Sequence, residues 1–144
     1  MDFGDLQANV VRGFGAQRSA YLFVRFGDGA ALMGDLAKRV ADADFLGESP
    51  NAIANVALSG AGLRALGVPE EGFPKELFEG MRNRAATLGD TGPSDPSEWD
   101  PDFAPEGTHA VVTVSGKEDA AFEALVDEMR HLLGNALVGE QQAA

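Results

Sequence analysis

Short runs of β-branched and aromatic residues occur at four places along the chain, and these places predict β-strands. Such residues suit a pleated, half-buried surface. The runs are residues 21–26, 53–58 and 109–114, with a shorter piece at 136–138. Alternation turns Tyr21 and Phe23 to one side of the first strand. It turns Leu22 and Val24 to the other side, so both faces are largely apolar, as expected for a central strand.

Two longer stretches repeat apolar residues at helical spacing, at about residues 30–42 and 118–133. A third, much shorter helix is predicted at residues 63–66, because Ser59 can cap its start and Gly67 can end it. The turn before this helix contains Gly60 and Gly62. We predict that one of them has a positive φ or lies where a side chain would clash, so that valine there destabilises the fold.

The order strand, helix, strand, strand, helix, strand is that of the ferredoxin-like βαββαβ unit. The predicted fold class is therefore α+β, with a four-stranded antiparallel sheet, and residues 1–144 are expected to form one domain. Residues 67–108 show little periodicity beyond one helical turn near Leu77 and contain several prolines and acids. We interpret this stretch as a long irregular insertion, which is often functional or interfacial.

Composition narrows the function classes. The 144 residues contain no cysteine, which excludes disulfides and thiolate sites, and the formal net charge is −12. An acidic surface repels phosphate backbones and anionic membranes, so neither nucleic acid nor a membrane is the expected partner. No apolar run has the length of a membrane span and no signal segment is evident. We therefore expect a cytoplasmic location.

Several side-chain patterns are candidate sites. Residues 60–65 fit the G-x-G-x-x-(G/A) dinucleotide pattern, but the second strand and acid of a Rossmann unit do not follow, so a turn that needs glycine is favoured. The acids of residues 90–106 lack the spacing of a calcium loop and are interpreted as a solvated surface. Arg82 and Arg84 could bind an anion, although ion pairs with Glu79 or Asp90 are favoured.

A set of motifs along the chain resembles the N-terminal half of dye-decolorising (Dyp-type) haem peroxidases. The motifs are Leu-Gln-Ala-Asn-Val at 6–10, Asn-Val-Ala-Leu-Ser at 55–59, Gly-Leu-Arg-Ala-Leu-Gly-Val at 62–68, Gly-Met at 80–81, Leu-Gly-Asp at 88–90, and Trp99. Ala8 stands where the family more usually has glycine. In this family two ferredoxin-like domains pack sheet against sheet as a dimeric α/β barrel, and the second domain binds haem.

The resemblance carries no catalytic residue onto this chain. The family's distal aspartate, in a Gly-x-x-Asp-Gly motif, is expected shortly after residues 138–141, and its distal arginine and proximal histidine lie later still. The two histidines of this chain, His109 and His131, match none of these motifs. They remain weak candidates for cofactor binding, with structural roles favoured. We therefore expect no metal site and no peroxidase activity from this chain alone, with haem belonging to the full-length family.

Three functions remain open. The favoured one is assembly: a haem-free half-domain that pairs, through its sheet face, with a copy of itself or with a separate haem-carrying C-terminal half. The alternatives are a homodimeric α/β barrel that binds haem or a small apolar ligand, and a cofactor-free barrel monooxygenase. The uncovered face is expected to be apolar, formed by one of two alternating sets of strand residues. The first set comprises Leu22, Val24, Val56, Val112 and Val114.

For self-association, we predict that lysine at Val112 or Val114 gives one folded monomeric variant. The rival to a second copy is the acidic loop of residues 90–106, folded over the same face.

Overall fold

The computed structural model of this chain describes residues 6–11, 13–42, 50–99 and 107–143. Its helices and strands follow one another in a βαββαβ order that is extended by short helices. They are α1 (Ala8–Val11), β1 (Arg18–Val24), α2 (Gly29–Ala37), β2 (Ala52–Leu58), α3 (Gly60–Ala65), α4 (Lys75–Asn83), α5 (Ala85–Leu88), β3 (Ala110–Gly116), α6 (Asp119–Leu133) and β4 (Leu137–Ala143). Single 3₁₀ turns lie at Gly92–Ser94, Pro96–Glu98 and Gly134–Ala136.

The four strands form one antiparallel sheet in the order β2-β3-β1-β4. In this register Leu22 of the central strand β1 pairs with Val112 on one side and with Glu140 on the other. The α+β class and the four-stranded antiparallel sheet predicted from the sequence are confirmed. The two central strands contribute the most apolar sequences because both of their edges and one face are enclosed.

One face of the sheet packs against α2 and α6. Its strand positions are small or branched: Ala20, Leu22, Val24, Ala54, Ala110, Val112 and Val114 are all buried. Phe122, Val126, Met129 and Leu133 of α6 and Leu36 of α2 cover them. Full burial of one such large side chain contributes about 1.5–3 kcal/mol relative to exposure, so this layer is the main source of stability.

Val112 and Val114 therefore lie in the core of a single chain, each with 0% of its surface exposed. The prediction that lysine at one of them yields a folded monomer is wrong, because an unpaired ammonium under α6 would destabilise the domain itself. Leu22 and Val24 lie under the same helices, and Val56 packs against that core. The face left without these helices is the alternate set of strand residues, which is not uniformly apolar.

The edge of β2 is closed by the N-terminal segment. The Gln7 side-chain amide pairs with Val56, donating to its carbonyl and accepting from its N–H, both at 2.8 Å. Beside it, the Ala41 N–H donates to the Ala54 carbonyl at 2.9 Å. An edge strand exposes a row of such groups to other chains, and these contacts occupy them. They also explain why α2 ends at Ala37, well before the predicted residue 42.

At the opposite edge, β4 is longer than predicted and is tied to α6 by charge. Glu140 accepts from the Arg130 guanidinium at 2.6 and 2.9 Å, and Arg130 also pairs with Asp127 at 2.7 Å. The hydrogen bond from Arg130 holds the pKa of Glu140 below its usual range, against the opposing effect of burial. Because β4 contains several polar residues, the hydrophobic pattern indicated a strand only at residues 136–138.

The predicted close approach at the β2–α3 turn is confirmed. A Cβ on Gly62 would meet the His109 carbonyl oxygen, and one on Gly60 would meet the Leu77 carbonyl oxygen. Neither glycine has a positive φ. In the insertion at residues 67–108, the helical turn expected near Leu77 is part of the longer helix α4, and α5 follows it. Residues 100–106, part of the loop predicted as the rival cover, lie outside the described part of the chain. Among the helices described, none is both long and apolar enough to cross a membrane.

Candidate functional site on the open face of the sheet

The face opposite α2 and α6, here called the open face, is formed by the alternate residues of each strand. They are Ser19, Tyr21 and Phe23 on β1, Ile53, Asn55 and Ala57 on β2, Val111, Thr113 and Ser115 on β3, and Gly139, Gln141 and Ala143 on β4. None of these positions carries an acidic residue, although the chain contains 23 acids. The face is thus nearly neutral on a strongly acidic molecule.

One corner of the open face is already covered within the chain. Ile53 is buried against Ala8 of α1 and Ala41, and Phe14 packs against the same cluster. Beyond this corner the exposure is uneven: Tyr21, on a central strand, leaves 40% of its surface exposed, whereas Phe23 and Asn55 are buried within the chain. Tyrosine is one of the residue types enriched at protein interfaces.

Four hydrogen-bonding side chains cross the open face in register, one from each strand. This polar stripe consists of Asn55, Thr113, Tyr21 and Gln141, in the order β2-β3-β1-β4. In the part of the chain that the structure describes, none of these side chains forms a hydrogen bond. Asn55 is only 4% exposed and its Oδ1 has no donor. A buried unpaired acceptor costs about 1–3 kcal/mol. The other three side chains of the stripe are at least partly accessible.

In the neighbouring row of the open face, by contrast, two polar side chains do pair with each other. Ser19 and Ser115 lie opposite each other one pleat away and pair through their hydroxyls at 3.3 Å. Sequence patterns did not single out the stripe. A polar residue inside each of two apolar strands, Asn55 and Thr113, was the available signal, but the alignment of all four residues depends on strand register.

His109 is held by the backbone at the end of the sheet where α3 begins. Its Nδ1 accepts from the Phe26 N–H at 3.3 Å, and its ring packs edge-on against Phe26 with centroids 4.7 Å apart. Its carbonyl oxygen accepts from the Ser59 N–H at 3.0 Å. A neutral imidazole that accepts through Nδ1 carries its proton on Nε2, so neither nitrogen has a free lone pair.

The second histidine, His131, lies in the last turn of α6 with an exposed side chain. Because α6 covers the helix-packed face, the exposed side of α6 points away from the sheet. The structure therefore brings neither histidine onto the open face and does not bring the two together into one site.

The remaining sequence candidates have local roles. Arg84 pairs loosely with Glu79 at 3.8 Å, and the Arg82 guanidinium lies 5.6 Å from the centre of the Trp99 ring. Asp95 accepts from the backbone N–H and the hydroxyl of Ser97, and the first of these bonds is the main reason that its pKa is lowered. No group of three potential metal ligands occurs among the residues that the structure describes. Backbone fills the space beside the dinucleotide-like glycines, as noted above.

A cavity of about 260 Å³ lies between the N-terminal segment, α2 and β2. It is lined by Leu6, Gln7, Met33, Ala37, Val40, Ala41, Asp42 and Val56. Val56 belongs to the helix-packed face, so this cavity is on the opposite side of the sheet from the polar stripe. Neither histidine lines it.

Comparisons with known proteins agree with the architecture. The family model described as the DyP dimeric alpha+beta barrel domain matches residues 35–143. A dye-decolorizing peroxidase of Mycena epipterygia is 24% identical over 144 residues, covering 95% of this chain and 27% of that protein.

Two solved structures share the fold. The DyP-type peroxidase of the fungus Auricularia auricula-judae has a TM-score of 0.82 at 22% identity, covering 100% of this chain and 33% of its own. A dye-decolorizing peroxidase whose heme pocket was engineered for asymmetric sulfoxidation has a TM-score of 0.81 at 22% identity, covering 100% and 34%. The chain thus spans about a quarter to a third of the length of these relatives.

Proposed function

This chain belongs to the DyP dimeric α+β barrel domain family, and we propose on that premise that it is an assembly domain of a Dyp-type protein. Its open face receives the sheet of a second α+β domain, and the two sheets together close a barrel. The second domain is either another copy of this chain or a separate haem-carrying C-terminal half. The resemblance to the N-terminal part of Dyp-type peroxidases, stated from the sequence, is confirmed by the family match.

The observation that carries this proposal is the open face itself. α2 and α6 cover one side of the sheet, while the other side has an exposed Tyr21, no acid and an unpaired polar stripe. A sheet face that is neutral on a molecule with a net charge of −12 is suited to contact with another protein layer.

We further propose that this chain supplies no ligand to haem iron. The residues present do not fit the group: the hydrogen bond from Phe26 leaves the proton on Nε2 of His109, and His131 is exposed on the outer side of α6. One structural relative is a dye-decolorizing peroxidase with a heme pocket. In a complete Dyp-type assembly we assign the haem to the second domain. The chain alone then has no peroxidase activity. A cytoplasmic location stays a prediction.

A hemin titration followed at the Soret band tests this part of the proposal. We expect the wild-type chain and the His109→Ala and His131→Ala variants to give the same weak, non-saturating absorbance change. Peroxide-dependent dye oxidation should not exceed that of free hemin. A saturable complex of one hemin per chain, whose Soret band disappears in His109→Ala but persists in His131→Ala, would show that the chain is itself a haem protein.

A further inference from the structure

The insertion at residues 67–108 exposes a group of apolar side chains. Phe73, Leu77, Met81 and Leu88, here called the apolar patch, are between 37% and 61% exposed. Among the described residues they are four of the seven large apolar side chains that stay exposed, and α4 and α5, which carry three of them, contact each other. Single exposed apolar side chains are ordinary on a soluble protein, whereas a group of them on adjoining elements indicates a contact surface.

The attachment of α4 to the rest of the domain does not account for the apolar patch. That attachment is made by Phe78, the buried residue of α4. The Arg64 guanidinium of α3 donates to the Phe78 carbonyl at 3.0 Å and lies 5.0 Å from the centre of its ring. An amphipathic helix normally turns its apolar residues toward the core. Leu77 and Met81, four residues apart, are exposed although α4 is already packed on α3.

The charge around the apolar patch is mainly acidic. Residues 70–98 contain seven acids and three basic residues. All three basic side chains lie beside an acid or an aromatic ring of the same chain. Glu71 and Glu76, in contrast, are exposed and form no ion pair within the described part of the chain. A second copy would bring the same acids to the contact, whereas a partner with lysine or arginine beside its apolar residues is complementary.

We propose that the apolar patch binds a basic amphipathic helix of a partner protein. The apolar side of that helix packs on Leu77, Met81 and Leu88, as side chains at helical spacing do between two helices, and its lysines or arginines face Glu71 and Glu76. The open face is a neutral sheet surface, whereas the patch is an acid-rimmed helical surface on the insertion. The two surfaces therefore suit different partners, and this inference goes beyond the proposed function.

Two labelled peptides of roughly 14 residues test the proposal by fluorescence anisotropy with the purified full chain. One peptide has leucine at helical spacing and lysine at its other positions. The second peptide keeps the same leucines and replaces every lysine with glutamate. We expect the lysine peptide to bind saturably, at one peptide per chain, and the glutamate peptide not to bind.

Variants separate contact with the patch from attraction to an acidic molecule. Met81→Ala should raise the Kd of the lysine peptide about three- to tenfold, and Leu88→Glu about tenfold or more, although Leu88→Glu adds a negative charge. The matched controls are Val138→Ala and Val138→Glu, which change a 44% exposed side chain on β4 and should leave the Kd within about twofold. All these positions are exposed, so circular dichroism should show an unchanged fold.

Other occupants of the patch would give different results, and each would overturn the inference. Equal Kd values for wild type and Leu88→Glu would show that net charge alone holds the peptide. Self-association that is lost in Leu88→Glu but kept in Val138→Glu would assign the patch to a second copy of the chain. Co-sedimentation with phosphatidylcholine vesicles that is lost in Leu88→Glu would assign it to a membrane. A wild type that does none of these would show that the patch is not a binding surface.

Discussion

Replacing Gly62 with alanine should damage the fold much more than its size suggests. Gly62 lies in α3 where the helix meets the first residues of the β3 segment. An added methyl group would meet the His109 carbonyl oxygen, with the carbonyl carbon at 2.8 Å and the His109 Cα at 3.2 Å. These are backbone atoms and cannot rotate away, so α3 and the start of β3 must separate.

The expected loss follows from what that separation breaks. Ser59 connects the two elements: its N–H donates to the His109 carbonyl at 3.0 Å, and its hydroxyl donates to the Thr108 carbonyl at 2.8 Å. Overpacking typically costs 1–3 kcal/mol, and each lost hydrogen bond roughly 0.5–1.5 kcal/mol. Alanine offsets about 1 kcal/mol through its better helix propensity. The net expectation is a loss of about 1–5 kcal/mol, and the middle of this range corresponds to roughly 10 °C in melting temperature.

Urea unfolding followed by far-UV circular dichroism measures this loss, with Gly34→Ala as the matched control. Gly34 is also helical and exposed, has a negative φ, and has no atom within 4 Å of an added Cβ. Its replacement should therefore stabilise the domain by up to about 1 kcal/mol. Equal stability of Gly62→Ala and wild type would refute the account of this turn.

Two further predictions concern the edges of the sheet. Gln7→Leu removes both bonds to Val56 and should destabilise the domain by roughly 1–3 kcal/mol, with faster hydrogen exchange at the Val56 amide, whereas Gln17→Leu at an exposed position should do neither. If the Val56 amide stays protected from hydrogen exchange in Gln7→Leu, the Gln7 side chain is not what closes this edge. Glu140→Gln should lower the free energy of unfolding by roughly 1–2 kcal/mol near neutral pH, because Glu140 accepts two bonds from Arg130. Its pKa is lowered in the fold, so this stabilisation is present above the unfolded pKa of about 4.3 and is lost as pH falls through the folded pKa. The difference between variant and wild type should vanish in acid, and Glu71→Gln, on an exposed residue, should show no such pH dependence.

Local pattern was sufficient to predict the main strands, the two long helices and their order. β-branched alternation in β1, β2 and β3 and the apolar repeat in α6 are properties of neighbouring residues, and all four elements are present in the structure, although β1 begins three residues before the predicted start and ends two residues before the predicted end. The glycine turn was also predictable, because Gly60 and Gly62 follow a strand and Ser59 can cap the helix that they open.

Contacts between distant residues decided the rest. α2 is shorter than its apolar repeat because the Ala41 N–H donates to the Ala54 carbonyl of β2. β4 is longer than its apolar residues suggest because it pairs with β1 along its length. Periodicity placed Val112 and Val114 on one face of β3 but could not tell whether that face meets α6 or a partner. That choice depends on which side of the sheet the helices cross.

The polar stripe is the clearest case. The sequence shows its members as single polar or aromatic residues: Asn55, Thr113 and Tyr21 within predicted strands, and Gln141 beyond the predicted end of the fourth strand. Their alignment, and the absence of hydrogen bonds among the described residues for all four, follow only from strand register. Register is set by pairings between residues many positions apart, so the amino-acid sequence determined the elements of this domain, whereas the tertiary structure decided which of its surfaces is left to bind.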